Sequence, residues 1–164
     1  MTHRPLGLTL AAIILAVDQL VKYIVSVPLA LQQRGQIPLL SFFDLTWVEN
    51  RGVSLGLLSA DTALGRWLLV ALTGVIAAGV AVWLWREANR QDVFGLGLVL
   101  GGALGNIVDR ARFGYVVDYA DLHFGQFRPF LVFNVADAAI TIGVIILLSR
   151  ALFSRDKPKA TSDA

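Results

Sequence analysis

The 164-residue chain contains no cysteine. That excludes a disulfide, a thiol nucleophile and a thiolate metal site. Histidine is almost as scarce. His3 and His123 stand far apart, with no metal-ligand spacing between them. Each reads as a solvated loop or interface residue. Charge is sparse as well: charged residues make up 16%, and the formal net charge is +2. There is no basic patch of the kind that binds nucleic acid, so no such partner is expected.

Hydrophobic residues fill the space, at 56% of the chain, with a mean hydropathy of +0.67. Soluble domains run near ~45–50%. The composition is that of a polytopic membrane protein of one domain. Arg4 precedes an apolar run, as in a secretory signal, but no small-residue cleavage site follows. Asp18 and Lys22 interrupt its far end, so it reads as a retained first span. Spans are expected at about 6–25, 66–85, 93–109 and 130–149, each long enough to cross a bilayer. The expected fold is all-α: four transmembrane helices in one membrane domain over 1–153, with a polar, disordered tail over 154–164. The third span carries Gly97, Gly101 and Gly105 at four-residue spacing. Such small-residue stripes let helix backbones approach closely.

Orientation follows from the cations. Arg86 and Arg90 lie in the short link between spans two and three, beside an interfacial belt of Trp83 and Trp85. Arg150, Arg155, Lys157 and Lys159 crowd the end of the chain, and Arg4 precedes span one. Cations concentrate on the cytoplasmic side, which places both termini there. Residues 26–65 and 110–129 then face outward. Phe43, Leu45 and Trp47 alternate with Asp44, Thr46 and Val48 before an Asn50-Arg51-Gly52 turn. That alternation predicts a small extracytoplasmic β-like element between helices 1 and 2. Phe113, Phe124, Phe127 and Phe130 are placed to lie on the outer membrane surface.

One polar pattern occurs twice in these apolar stretches, as Asn106-x-x-Asp109 and Asn134-x-x-Asp137. Residues three apart share a helix face. A carboxylate in hydrocarbon costs at least ~2.5 kcal/mol, so an intramembrane function is the default reading. Topology puts all of these residues at outer helix ends. At ~1.5 Å per residue, Asp137 would lie about 10 Å below the start of span four. Asp118 is on the connection between spans three and four, and the i,i+4 pair Asp18/Lys22 lies toward the outer end of span one. The polar residues therefore converge on one shallow outer cavity.

Carboxylates are the abundant candidates for chemistry there. Two sharing a site keep one proton between them, supplying a base for water and an acid for the leaving amine. Arg110 and Arg112 flank Asp109 and mark it as an ion-pair group. Asp118 and Asp137 have fewer local cations and form the candidate pair. The residues leave a second reading open, in which every carboxylate is a packing or ion-pair group; Asp18/Lys22 in particular reads as an intrahelical pair. Gly52-Val53-Ser54-Leu55-Gly56 matches the serine-hydrolase string, but His123 would have to be its base, and a Gly-rich turn explains it better.

The ordered motifs resemble the lipoprotein signal peptidase family, also called signal peptidase II. They are Asp18-Gln19-x-x-Lys22, Asn50-x-Gly52, the run from Gly101 through Gly105-Asn106-x-x-Asp109-Arg110, Val116-Val117-Asp118, and Phe133-Asn134-Val135-Ala136-Asp137. Each string is unspecific alone; five in order on four spans are specific. The resemblance implies an aspartic endopeptidase of the bacterial inner membrane, active as a monomer without metal or cofactor. Its substrates would be diacylglyceryl-modified prolipoproteins, cut before the lipidated cysteine near the extracytoplasmic face. It implies Asp118 and Asp137 as the catalytic dyad. Asn50, Asn106, Asp109, Arg110 and Asn134 would support them, with Asp18, Lys22 and Gly52 in the surrounding shell. Leu55 and the segment 126–132 depart from the family's commoner residues, at positions that touch substrate entry.

Two other classes compete with this reading. A proton- or ion-coupled transporter would spread polar residues through the membrane depth, whereas here they cluster at outer ends. A purely structural four-span protein gives no reason for two Asn-x-x-Asp pairs at matched depth. The orientation is testable. Reporter fusions at Gln33 and Asp121 are expected to read as outside and one at Asn89 as inside; an outside signal at Asn89 overturns the topology.

Overall fold

The computed structural model describes residues 3–53, 58–59 and 62–153. Ser54, Leu55 and the tail over 154–164 lie outside the described residues. The chain runs α1 (Arg4–Ser26), α2 (Leu31–Arg34), β1 (Gln36–Leu40), β2 (Phe43–Asn50), β3 (Gly52–Val53) and β4 (Leu58–Ser59). It continues through α3 (Ala63–Arg86), α4 (Arg90–Phe113), β5 (Val116–Leu122) and α5 (Val135–Phe153). α1, α3, α4 and α5 are the four helices long and apolar enough to cross a membrane. Their outer faces leave Ile13, Leu20, Val75, Ile76 and Ile145 exposed, as hydrocarbon-facing residues must be. This is a multi-pass membrane protein.

α4 is the central helix, packed on α1, α5 and α3. Its glycines explain how. A Cβ on Gly97 would come within 2.7 Å of the Gly7 carbonyl oxygen, and one on Gly101 within 2.6 Å of that of Ala11. One on Gly105 would come within 2.5 Å of Asp18 Oδ2. The stripe visible in the sequence is thus the α1 face. A second face, Gly95 and Gly102, meets Gly143 and Ala136 of α5. Without a hydrophobic drive between helices in lipid, this closeness supplies the van der Waals contact that joins them.

Outside the bundle, β1, β2 and β5 form an antiparallel sheet in that order. The expected β-like element is present as β1 and β2. Its third strand comes from the α4–α5 connection, which the sequence did not mark as a strand. The register sets Val48 opposite Asp118 and Asn50 opposite Val116. Val117, Tyr119 and Ala120 pack with Val25 and Leu31 beneath the sheet. That contact seats the strands on the C-terminal end of α1.

The last helix starts at Val135, later than the span expected from 130. The backbone before it is extended, with Phe133 bridging Ala120 of β5. Asp137 therefore stands in the first turn of α5 rather than a turn or more inside it. Gly102→Leu should collide with the Ala136 carbonyl and displace that turn. Overpacking of this kind costs ~1–3 kcal/mol. The expected result is a lower melting temperature in detergent together with lost activity, although Gly102 touches none of the carboxylate or amide side chains of the site; an unchanged melting temperature would contradict the packing.

Candidate active site

α5 begins with a reciprocal cap. The Asn134 side-chain oxygen accepts the Asp137 backbone N–H at 2.9 Å. Asp137 Oδ2 accepts the Asn134 backbone N–H at 3.3 Å. This is a capping box with Asp in the place usually taken by Glu. The two Asn-x-x-Asp strings therefore differ in structure. Asn106 and Asp109 share a face inside α4, whereas Asn134 precedes its helix and Asp137 closes the box.

The remaining Asn134 group reaches the sheet. Its Nδ2 donates to Asp118 Oδ1 at 2.6 Å. Asn50 Nδ2, from the end of β2, donates to Asp118 Oδ2 at 3.0 Å. Asn106 Nδ2 donates to Asp137 Oδ1 at 2.8 Å. Asn134 thus joins the two carboxylates, its side-chain amide donating to Asp118 and its backbone N–H to Asp137, and each is held further by an amide from another element. Asp118 is only 2% exposed. Burial, then the neighbouring charge of Asp137, pushes its carboxyl up from 3.8 to about 6, against the opposing hydrogen bonds from Asn50 and Asn134. Gly52 also contributes: its N–H donates to Asn50 Oδ1 at 3.1 Å, which turns the Asn50 amine toward Asp118.

Behind the pair lies a second polar junction. Lys22 Nζ is 2.8 Å from Asp18 Oδ2 and 2.8 Å from Asp109 Oδ2. It also donates to Asn106 Oδ1 at 3.3 Å. Asp18 Oδ1 accepts the Ala136 N–H at 3.0 Å, and Asp109 Oδ2 accepts the Val117 N–H at 3.1 Å. The cation that meets Asp109 is thus Lys22, from another helix, and neither flanking arginine. Sequence adjacency misleads here because neighbours on a helix point about 100° apart. The Arg110 side chain makes no ion pair or hydrogen bond among the described residues, and its Nε is buried.

Gln19 was quoted only as part of a motif, yet it donates to Asp109 Oδ1 at 2.9 Å and helps bind the junction. A separate outer cluster had no sequence signal beyond scattered polar residues. In it Asp44 and Asp121 face each other across β2 and β5. Arg128 and Thr46 each donate to Asp121 at 3.0 Å, while His123 Nε2 is 3.1 Å from Asp44. The base that a serine nucleophile would need is therefore engaged at the sheet rim. Two cavities flank the polar centre. One of about 430 Å³ lies between α1 and α4 and reaches Lys22 and Asp109, but neither Asp118 nor Asp137 lines it. The other, about 300 Å³, is an apolar groove along α5, with Phe130, Leu131, Thr141 and Ile142 leading to Asp137.

Comparison with known proteins adds four findings. The family model of signal peptidase (SPase) II matches residues 10–153. The lipoprotein signal peptidase of Sphingopyxis alaskensis is 60% identical over 151 residues, covering 92% of this chain and 87% of that protein. That of Rhizorhabdus wittichii is 58% identical over 161 residues, covering 98% and 93%. A bacterial membrane enzyme solved by the in meso method at 1.9 Å resolution superposes with a TM-score of 0.77 at 27% identity, over 93% of this chain and 95% of that one. With the family model spanning all four membrane helices, the chain belongs to the signal peptidase II family.

Proposed function

We propose that this chain is an intramembrane aspartic endopeptidase that removes the signal peptide from diacylglyceryl-modified prolipoproteins, cutting before the lipidated cysteine. The observation that carries the reading is the Asn134 side chain, which bonds Asp118 on one side and the Asp137 backbone on the other. It ties the strand-borne carboxyl of Asp118 to the first turn of the helix that carries Asp137, whose own carboxyl accepts the Asn134 backbone N–H. Family membership supplies the substrate class. The apolar groove leading to Asp137 suits a substrate that enters sideways from the bilayer with its acyl chains still in lipid.

The roles follow from the surroundings. All four oxygens of the pair accept hydrogen bonds, and burial with the neighbouring charge raises the Asp118 carboxyl, which suits it to hold the proton. Asp137 takes a proton from water as the water oxygen bonds to the scissile carbonyl carbon. Asp118 gives its proton to the carbonyl oxygen. As the carbon–nitrogen bond breaks, Asp137 passes its proton to the departing amine, and a hydroxyl of the tetrahedral carbon returns one to Asp118. Arg110, whose side chain has no ion-pair partner among the described residues, is available to meet substrate. No step calls for a metal or an organic cofactor.

The enzyme would sit in the bacterial inner membrane with both termini cytoplasmic. Arg4, Arg86, Arg90 and Arg150 all lie at the helix ends opposite the carboxylate pair, which supports that orientation. One copy contributes both carboxylates, so a monomer suffices.

Two measurements test the reading. Asp118→Asn and Asp137→Asn should each reduce cleavage of a diacylated prolipoprotein to near background, since general acid–base contributions reach ~10²–10⁴-fold. The double variant should be little worse, because groups acting as a unit are non-additive. Near-parental turnover by either folded single variant would sink the dyad. The second measurement concerns pH. Between 3.8 and about 6 the folded chain holds a proton on Asp118 that the unfolded chain releases. That contribution to stability is complete below the lower value and is lost as pH rises through the upper one. The melting temperature of the parent relative to Asp118→Asn should fall across that window and level above it. A flat difference would remove the proton from Asp118.

A further inference from the structure

We propose that Lys22 is a positioning residue for the reaction: its ammonium sets which way the Asn106 amide faces, and so presents an N–H to Asp137. The inference rests on the dyad reading above. Its premise is geometric. An ammonium has three hydrogens to donate and accepts nothing. Lys22 directs them at Asp18 Oδ2, Asp109 Oδ2 and Asn106 Oδ1. Whichever Asn106 atom faces Lys22 must therefore be the oxygen. The amine then has to point the other way, where it meets Asp137 Oδ1 at 2.8 Å.

On the oxygen side of the Asn106 amide, Lys22 is the one charged donor among the described residues. Asn134 Nδ2 also approaches Asn106 Oδ1, at 3.3 Å. Its two hydrogens are divided among three acceptors, however, the others being Asp118 Oδ1 at 2.6 Å and the Val117 carbonyl at 3.4 Å. The short bond to Asp118 takes one, and the second is shared. The Asn134 amide itself is fixed by the Asp137 backbone N–H, within the cap. The two asparagines that flank the carboxylates are thus oriented by different devices, one by helix capping and the other by a cation on a different helix. A charge-assisted bond is also the stronger kind and polarises the amide it meets. Lys22 is 4% exposed and Asn106 8%, so water competes little for either.

Lys22 would act without touching substrate, from α1 through α4 to α5. The two carboxylates that hold it, Asp18 and Asp109, keep the ammonium in place, and each also accepts a backbone N–H, from α5 and from β5.

Removing Lys22 alone would strand two buried carboxylates, a change that destabilises strongly. The test therefore uses Asp18→Asn/Lys22→Met/Asp109→Asn, which removes all three charges and keeps acceptors for Ala136 and Val117. Assayed as purified full chain on a diacylated prolipoprotein, it should fold and bind substrate with KM within about twofold of the parent and kcat down about tenfold, at or below the low end of acid–base effects. Adding Asn106→Ala should then cost less than about twofold, although the same change in the parent costs about tenfold, because the two act through one contact. Asn106→Asp gives a second, independent reading. It keeps an acceptor for Lys22 but sets a second carboxyl against Asp137 where the amide N–H stood, so it should lose kcat by at least a similar factor. Parental kcat in the folded triple variant, full additivity with Asn106→Ala, or parental turnover by Asn106→Asp would each overturn the proposal. If Asp118→Asn and Asp137→Asn are inactive while these variants turn over normally, this inference alone fails. If the dyad variants turn over, the dyad reading fails first.

Discussion

The Lys22 ammonium, held between Asp18 and Asp109 at 2.8 Å each, is the interaction on which the rest of the structure depends. All three side chains are withdrawn from solvent and lipid. Breaking one partner of such a group leaves a buried charge unmatched, at a cost of ~3–5 kcal/mol. The junction does more than neutralise. Asp18 bonds the first turn of α5, and Asp109 bonds the start of β5. One cation on α1 thereby sets the two segments that carry Asp137 and Asp118.

The junction forms only because the backbones come close. Gly105 leaves the space that Asp18 occupies, and Gly97 and Gly101 bring α1 against α4 up to that point. On the other flank, Gly102 admits the Ala136 turn. Small residues and buried charge are thus parts of one arrangement. The glycines supply proximity, and the polar groups use it to fix register along the helix axis, where apolar packing in lipid discriminates poorly.

The proposed dyad joins two kinds of element. Asp118 comes from a strand paired with β2, and Asp137 from a capping box. Neither is carried by a membrane-buried helix interior. That moderates the cost of placing carboxylates at this depth, because capping and strand ends provide backbone and amide N–H donors that a helix interior has already used. Asp118 remains buried enough for its carboxyl to rise to about 6. Desolvation and amide donors oppose one another there, and the balance leaves the carboxyl able to hold or release a proton near neutral pH.

Much was legible in the sequence because it depends on local pattern. Hydrocarbon length marked the four spans, four-residue glycine spacing marked the α1 face of α4, and alternation over 43–48 marked β2. The ordered motifs identified the family and named the candidate carboxylates. Asn134-x-x-Asp137 is also a capping-box spacing, a local pattern that starts α5 at Val135 rather than at 130. Other features depended on contacts between distant segments. β5 has a buried face on both sides and so shows no alternation to announce a strand. The partner of Asp109 is Lys22, far along the chain, because helix crossing and not adjacency decides which charges meet. The second glycine face, the direction of the Asn106 amide and the Asp44–Asp121 opposition at the sheet rim likewise exist only once the elements are packed. Local spacing fixes which residues share a face; which face each one meets is decided by tertiary packing alone.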